Sequence, residues 1–529
     1  IVVAIFGADY RYAAVVSLAG WVTAVATSGG IAFSLWRASR PRAPDTTADR
    51  VVGVAAGVLA AAWFASTPLM LDYAFVPMQE AVATALMALA LLLWVEMTSC
   101  RERADVAGED RAAWRLATVT TLLGLWRYAM WMEWLIAWLV VEWFGISRER
   151  WRRFFAELRI RLSWKPADGG PSLWRHPLLV VSAAGWTLWL VNLFFRPLGN
   201  ATEIAGRTIS IRAAGNLLYV VVILGVIGIV WLWVRNREWC RREFGRLPVV
   251  WRALLAAHAL PMTVWFLVPH RLRLFVNTFF SRPEGHKQVY DLRDLIERDL
   301  FALSWLPWIL LVMVVAAIAL WRKTTVTGRR YLLLGLLIAL PTLTVPYEQR
   351  YALPALVAMM PVVVVTLGRL LADGPLWLAA TGMGVRTSGA ALAGRVLFGA
   401  ASLFLTIALL VSGTRTVAQG VPRPYYHTPA IAAVRMAIVD AARGRSESVL
   451  VLDDLASEQH SHILAAFNDR HQRSLSGIVT WVPLFGREAS MVLDDTLRDL
   501  KPELIIAYRS APGVIPKDPD KQALLDALA

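Results

Sequence analysis

Apolar runs separated by short polar breaks fill roughly the first four-fifths of the chain. About 20 apolar residues in a helix span a hydrocarbon core of about 30 Å. Twelve such segments are predicted, at roughly 11–36, 51–71, 80–97, 112–125, 128–145, 177–195, 216–234, 249–269, 302–321, 331–345, 352–371 and 396–414. Arg127-Tyr128 interrupts an otherwise continuous run and predicts a tight turn between the fourth and fifth segments. From about residue 420 the pattern changes. "SVLVLDD", "SGIVTWV" and "ELIIAY" read as strands, with "ASEQHSHILAAFNDRHQ" and "EASMVLDDTLRDL" as amphipathic helices between them. That alternation predicts a small α/β unit. The expected architecture is a polytopic α-helical membrane protein over residues 1–416, followed by a soluble C-terminal α/β domain over 417–529. No internal repeat is evident.

Composition agrees with the pattern. The chain of 529 residues is 57% hydrophobic, with a mean hydropathy of +0.51. Many of its 25 tryptophans sit near run ends, as in "WRYAMWMEW" and "LSWLPW", where aromatic belts form. A net charge of +15 would point to nucleic acid in a soluble chain. Here the arginines fall in alternate loops: Arg37 to Arg50, Arg101 to Arg115, Arg148 to Arg175, Arg235 to Arg246 and Arg322 to Arg330. Lys and Arg mark cytoplasmic loops, so the charge is an orientation signal and no nucleic-acid partner is expected. This orientation puts the first ten residues and the C-terminal domain on the outer face of the cytoplasmic membrane. The chain opens on Ile1 with no visible signal peptide, and one further helix upstream would reconcile that start with an outer N-terminus. Cys100 and Cys240 fall in predicted cytoplasmic loops and give no disulfide or metal spacing.

Ionisable groups near a bilayer are costly and mark candidate sites. On the predicted outer side they gather at four junctions. "STPLMLDYAFVPMQEAVATAL" carries Asp72 and Glu80, two carboxylates suited to act as general base, metal ligand or acceptor for sugar hydroxyls; Asp72 also reads as a turn residue and Glu80 as a helix N-terminal acid. "GLWRYAMWMEW" carries Arg127, Tyr128 and, two turns further in, Glu133, which reads as an anion site, a buried Glu–Arg contact or a snorkelling arginine. The loop 269–300 is basic on the side expected to be poor in Lys and Arg, with Arg271 and Arg273 nearest the preceding helix and Phe275, Phe279, Phe280 and Tyr290 interleaved. That mixture suits a phosphate-bearing lipid, though its later acids also fit a solvated helix. "VPYEQRYALPAL" places Arg350 and Tyr351 between Pro346 and Pro354, fixed at a helix junction as a phosphate clamp would be.

Three stretches carry a family resemblance: "IFGADYRYAAVVSLAGWVTAV", "STPLMLDYAFVPMQEAVATALMALALLL" and "EQRYALPALVAMMP". In order and spacing over most of residues 1–415 they resemble the lipid-phosphate-sugar-dependent glycosyltransferases of the GT-C fold. The likeness is to bacterial relatives of the dolichyl-phosphate-mannose protein mannosyltransferases (GT39) and the aminoarabinose transferase of lipid A (GT83). The resemblance implies thirteen membrane helices and an outer C-terminal domain. It also implies inverting transfer of a sugar from a polyprenyl-phosphate donor to a lipid, glycan or protein acceptor. It carries over Arg350 and Tyr351 as donor-phosphate contacts and Glu80 as the second acidic position. The principal catalytic base it implies belongs to a first outer loop upstream of Ile1; Asp9 lies too late to match. Some members use a divalent cation, and no dedicated ligand cluster for a metal is visible. No Gly-rich phosphate loop follows a strand, in keeping with a lipid-borne donor. Two other classes remain open, a transporter or flippase of lipid-linked saccharides and a non-catalytic membrane scaffold, and within enzymes a polymerase or ligase of surface polysaccharide.

Overall fold

In the computed structural model the described residues are 10–39, 47–75, 79–145, 177–195, 201–204, 207–210, 216–235, 237–268, 300–344, 352–380, 387–418, 449–452 and 504–507, with single positions at 152, 156, 271, 272 and 275. Helices cover all twelve predicted segments. They are α1 (Tyr10–Ala38), α2 (Thr47–Ala65), the short α3 (Pro68–Phe75), α4 (Gln79–Glu102), α5 (Val106–Trp126), α6 (Tyr128–Gly145) and α7 (Pro177–Phe195). After a hairpin of β1 (Ala201–Ile204) and β2 (Arg207–Ser210) come α8 (Asn216–Arg235) and α9 (Arg237–Arg246). Then follow α10 (Val249–Phe266), α11 (Leu306–Ala319), α12 (Val326–Thr344), α13 (Leu353–Ala380) and α14 (Thr387–Ala418). Among the described residues six helices are long and apolar enough to cross a membrane alone: α1, α2, α4, α10, α13 and α14, each over most of its length. The protein is a multi-pass, mostly helical membrane protein.

The second predicted segment, 51–71, is broken in the structure. α2 stops at Ala65 and α3 begins at Pro68. Proline disfavours the helical conformation of the residue before it. The Ser66 and Thr67 hydroxyls donate back to the Trp63 carbonyl at 2.9 and 3.1 Å, closing α2. Elsewhere hydroxyls stay inside apolar helices by donating to the carbonyl one turn back, as Thr27, Thr98 and Thr120 do.

α1 lies against α2, α4 and α13. Small residues permit this: a Cβ on Gly29 would sit 2.8 Å from the Gly57 carbonyl oxygen of α2, and one on Gly20 would sit 2.9 Å from the backbone of α4 at Ala81. The tryptophans divide between two environments. Trp126, Trp143, Trp305 and Trp308 are exposed near helix ends, as a belt requires, whereas Trp36, Trp94, Trp134 and Trp138 are fully buried between helices. Trp36 stacks on Phe398 at 6.2 Å. Cys100 is buried in the last turns of α4 rather than in a loop, and Cys240 is half-buried on α9.

Polar contacts sort the helix termini into two ends. At the basic end Arg101 pairs with Glu109 at 2.8 Å and with Glu142 at 3.2 Å. Trp94 donates to Glu142 at 3.2 Å, the Thr327 amide donates to Glu102 at 2.6 Å, and Arg395 pairs with Asp49 at 3.1 Å. The opposite, rim end gathers the α4, α6 and α13 N-termini with the α5, α10 and α14 C-termini; there Ser412 donates to the Ala302 carbonyl at 2.7 Å. Far along the chain, β3 (Val449–Leu452) and β4 (Leu504–Ala507) pair in parallel, Val449 opposite Leu504. They coincide with the first and third predicted C-terminal strands. The middle strand and both helices proposed there lie outside the described residues.

Candidate functional site at the rim

α5 and α6 meet through a single residue. Arg127 is extended (φ −147°, ψ 103°), its amide donating to the Leu123 carbonyl at the end of α5, while its own carbonyl accepts from Trp131 in the first turn of α6. The expected turn at Arg127-Tyr128 thus consists of one non-helical residue. From that break the guanidinium reaches α4, where its Nη2 lies 3.0 Å from Glu80 Oε1. Glu80 occupies the first turn of α4, where an acidic side chain meets the positive end of the helix dipole. It is 1% exposed, and Arg127 is the more open of the two. A Glu–Arg contact within "GLWRYAMWMEW" was one of the readings open from the sequence. The structure forms one from a different helix, and Glu133 is separate, its buried Oε2 lacking a hydrogen-bond partner among the described residues.

The contacts continue from Arg127 into α10. The Tyr128 hydroxyl accepts from Trp265 Nε1 at 2.9 Å. The Arg271 guanidinium lies over the Trp265 ring at 4.5 Å, a cation–π geometry. Tyr128 also packs on Phe266 at 5.8 Å and edge-on to Phe275 at 5.5 Å. Two sets of contacts therefore adjoin in the chain, Glu80 with Arg127 and Tyr128 with Trp265 and Arg271, joined through the Arg127–Tyr128 peptide bond.

The position of Trp265 depends on a π-helical stretch in α10, Leu254–Ala259. Pro261 has no amide hydrogen to give the Ala257 carbonyl. That carbonyl instead accepts from the Thr121 hydroxyl of α5 at 2.7 Å. Thr121 Oγ1 is also 3.1 Å from His258 Nδ1, and Trp131 Nε1 donates to His258 Nε2 at 3.3 Å. Trp131 has only a donor, so Nε2 accepts and the hydrogen belongs on Nδ1, where Thr121 takes it. His258 was not singled out in the sequence; a lone histidine in an apolar run three residues before a proline was its only signal.

No protein-family model matches the chain, and no curated protein matches it. Among solved structures it is similar to ArnT from Cupriavidus metallidurans in the apo state, with 13% identity, coverage of 96% of this chain and 76% of that one, and a TM-score of 0.41. It is also similar to the archaeal oligosaccharyltransferase AglB from Archaeoglobus fulgidus, in complex with an inhibitory peptide and a dolichol-phosphate. There the identity is 14%, the coverage 96% of this chain and 60% of that one, and the TM-score 0.43.

Of the residues nominated from sequence, the structure pairs Glu80 with Arg127 and places Arg271 over Trp265, which donates to Tyr128 next to Arg127 in the chain. Asp72 lies on α3, next to the start of α4 in the chain, and its side chain is outside the described set. Arg273, Arg350 and Tyr351 lie outside the described residues. Among the described residues no cluster of His, Cys, Asp or Glu is arranged to hold a metal ion.

Proposed function

We propose that the chain is a membrane glycosyltransferase that moves a sugar from a polyprenyl-phosphate donor to a lipid, glycan or protein acceptor at the outer face of the cytoplasmic membrane. The observation that carries this reading is the Glu80–Arg127 pair at the rim, with the Tyr128–Trp265–Arg271 contacts starting at the next residue of the chain. Arg127 and Arg271, with Arg273, Arg350 and Tyr351, hold the donor phosphate. Guanidinium groups match phosphate oxygens and stay charged beside lipid. In the transfer, the bond between the sugar's anomeric carbon and the phosphate oxygen breaks, and its electron pair leaves with the polyprenyl phosphate. The acceptor oxygen bonds to that carbon from the opposite side, and its proton passes to a carboxylate. The cationic groups stabilise the negative charge that grows on the leaving phosphate.

Glu80 is the described carboxylate best placed for this work, with Asp72 near it in sequence. The donor phosphate competes with Glu80 for Arg127, and the carboxylate so released accepts the acceptor's proton. An apolar polyprenyl chain runs along the exposed faces of the bundle, such as Leu260, Val264 and Val268 beside the rim.

The test is transfer from polyprenyl-phosphate-linked sugars by the full chain in lipid vesicles. Glu80→Gln and Arg350→Ala are each expected to lower turnover by about 10²-fold or more. Unchanged turnover in both variants removes the assignment. Movement of intact lipid-linked saccharide across the vesicle without bond cleavage replaces the enzyme with a transporter.

A further inference from the structure

At the basic end, far from the rim pair, α9 stands almost unsupported by the bundle. Its 10 residues, Arg237–Arg246, have no substantial packing partner among the described elements except the end of α8. Arg237, Glu238, Arg241, Arg242, Phe244 and Arg246 are exposed, and a Cβ on Gly245 would meet nothing within 4 Å. An isolated helix shorter than about 12–15 residues is marginal in water. A surface outside the chain is therefore called for to hold α9 in place.

Its connections keep it at the membrane. α8 carries no charged residue between Asn216 and Arg235, and its 20 residues match a hydrocarbon core of about 30 Å. α10 is membrane-long from Val249 onward. Arg235 and Val249 therefore both mark the boundary of the core at the basic end. Asn236 alone separates α8 from α9, and Leu247 and Pro248 separate α9 from α10. Standing upright, α9 would hold Arg246 about 15 Å beyond the boundary. The chain from Arg246 to Val249 reaches back by about 10 Å at most. α9 is therefore inclined toward the membrane plane, among the headgroups.

The side chains fit that place. Cys240 and Phe244 lie one turn apart on one stripe, with Phe244 exposed. Arg237 and Arg241, also one turn apart, form the adjoining stripe, about 60° further round the helix. Neither makes an ion pair among the described residues. With Phe244 set into the acyl boundary, these two guanidinium groups stand level with the headgroups. Between Arg235 and Arg246 there are five arginines against two glutamates. Arg252, in the first turns of α10, adds a half-buried cation at the same boundary, and its Nε has no hydrogen-bond partner among the described residues.

We propose that α9 is an interfacial helix that binds anionic phospholipids on the basic side of the membrane, with Phe244 in the acyl boundary and Arg237 and Arg241 on the headgroups. The excess of positive charge selects anionic over zwitterionic lipid. This contact is separate from the transfer reaction and stands whether or not that reading holds.

Cys240 supplies the probe position, since Cys100 is buried. The full chain, labelled at Cys240 with a fluorescent maleimide, is placed in phosphatidylcholine nanodiscs that contain brominated phosphatidylcholine or brominated phosphatidylglycerol as a minor component. Bromines near the headgroup quench a fluorophore that the lipid touches. Both lipids are expected to quench, phosphatidylglycerol more strongly by about fivefold or more, the factor one basic side chain contributes near an anionic surface. Arg237→Gln and Arg241→Gln each lower that preference and together bring it toward parity, whereas the Lys variants retain it and Glu238→Gln raises it. Both arginines are exposed, so these variants keep the fold. Raising salt from about 0.1 to 1 M, which shortens the Debye length from about 10 to 3 Å, also lowers the preference. Equal quenching by the two lipids overturns the proposal. So does a label open to aqueous iodide and untouched by either brominated lipid, which places α9 in water. A preference unchanged in the double variant overturns it too, by placing the lipid contact elsewhere.

Discussion

Glu80 and Arg127 differ in how much each depends on the other. Glu80 is 1% exposed, whereas the Arg127 side chain is 23% exposed. Arg127→Gln is expected to destabilise by about 1–3 kcal/mol, the cost of a lost buried charge-assisted contact, and Glu80→Gln by less, because the guanidinium it leaves can turn to solvent. Denaturant unfolding in detergent checks both, and the double variant should cost less than the sum of the singles. The double variant also separates structure from chemistry. A pair that only fastens α4 to α5 and α6 regains transfer when both charges are neutralised. A pair that acts on substrate does not. In the sequence these two residues were visible as costly ions at helix ends, but not as partners. Forty-six intervening residues and two helices separate them, and Glu133 was the nearer acid in the chain.

Among the elements, α10 depends on a histidine. His258 accepts from Trp131 and meets Thr121, so His258→Leu leaves the Trp131 indole N–H short of its acceptor between α5, α6 and α10, while Thr121 keeps the Ala257 carbonyl. The expected loss is about 2 kcal/mol, read as a lower thermal midpoint. At the α1–α2 contact the limit is steric. Gly29→Ala places a methyl 2.8 Å from a carbonyl oxygen of α2, while the same change at Gly245 of α9 meets nothing within 4 Å. Gly29→Ala should therefore lower the unfolding midpoint, and Gly245→Ala should leave it unchanged or raise it slightly, by its better helix propensity. The positions of the helices were legible because apolar run length is dictated by the bilayer. The interruption at Ser66-Thr67-Pro68 was not, since a hydropathy average passes over three residues whose effect is conformational. The π-helical stretch was hidden for a related reason: Pro261 alone signals a lost hydrogen bond, and only the position of Thr121 shows how it is replaced. Buried tryptophans were likewise read as interfacial because composition does not say which face of a helix meets another helix.

For the molecule as a whole, the two ends make orientation testable with its own side chains. Cys240 sits on α9 between the apolar α8 and the membrane-long α10, and Cys100 is buried. A membrane-impermeant maleimide should label Cys240 in inside-out vesicles and not in right-side-out ones. Burial pushes the Cys240 thiol above its usual range, with its own backbone contact working weakly the other way. The reactive thiolate therefore accumulates only toward alkaline pH, and labelling should accelerate as pH rises. Labelling from the other side would invert the orientation and with it the outer placement of Glu80.

The junction of α5 and α6 has a mechanical consequence. With Arg127 as the whole connection, the hairpin has no slack: the residue that closes one helix opens the next. A displacement of its backbone bears on both helix axes together. Occupancy at this point would be felt as a change of tilt through the depth of the bilayer, as far as Glu142 and the ionic lattice at the far end of α6.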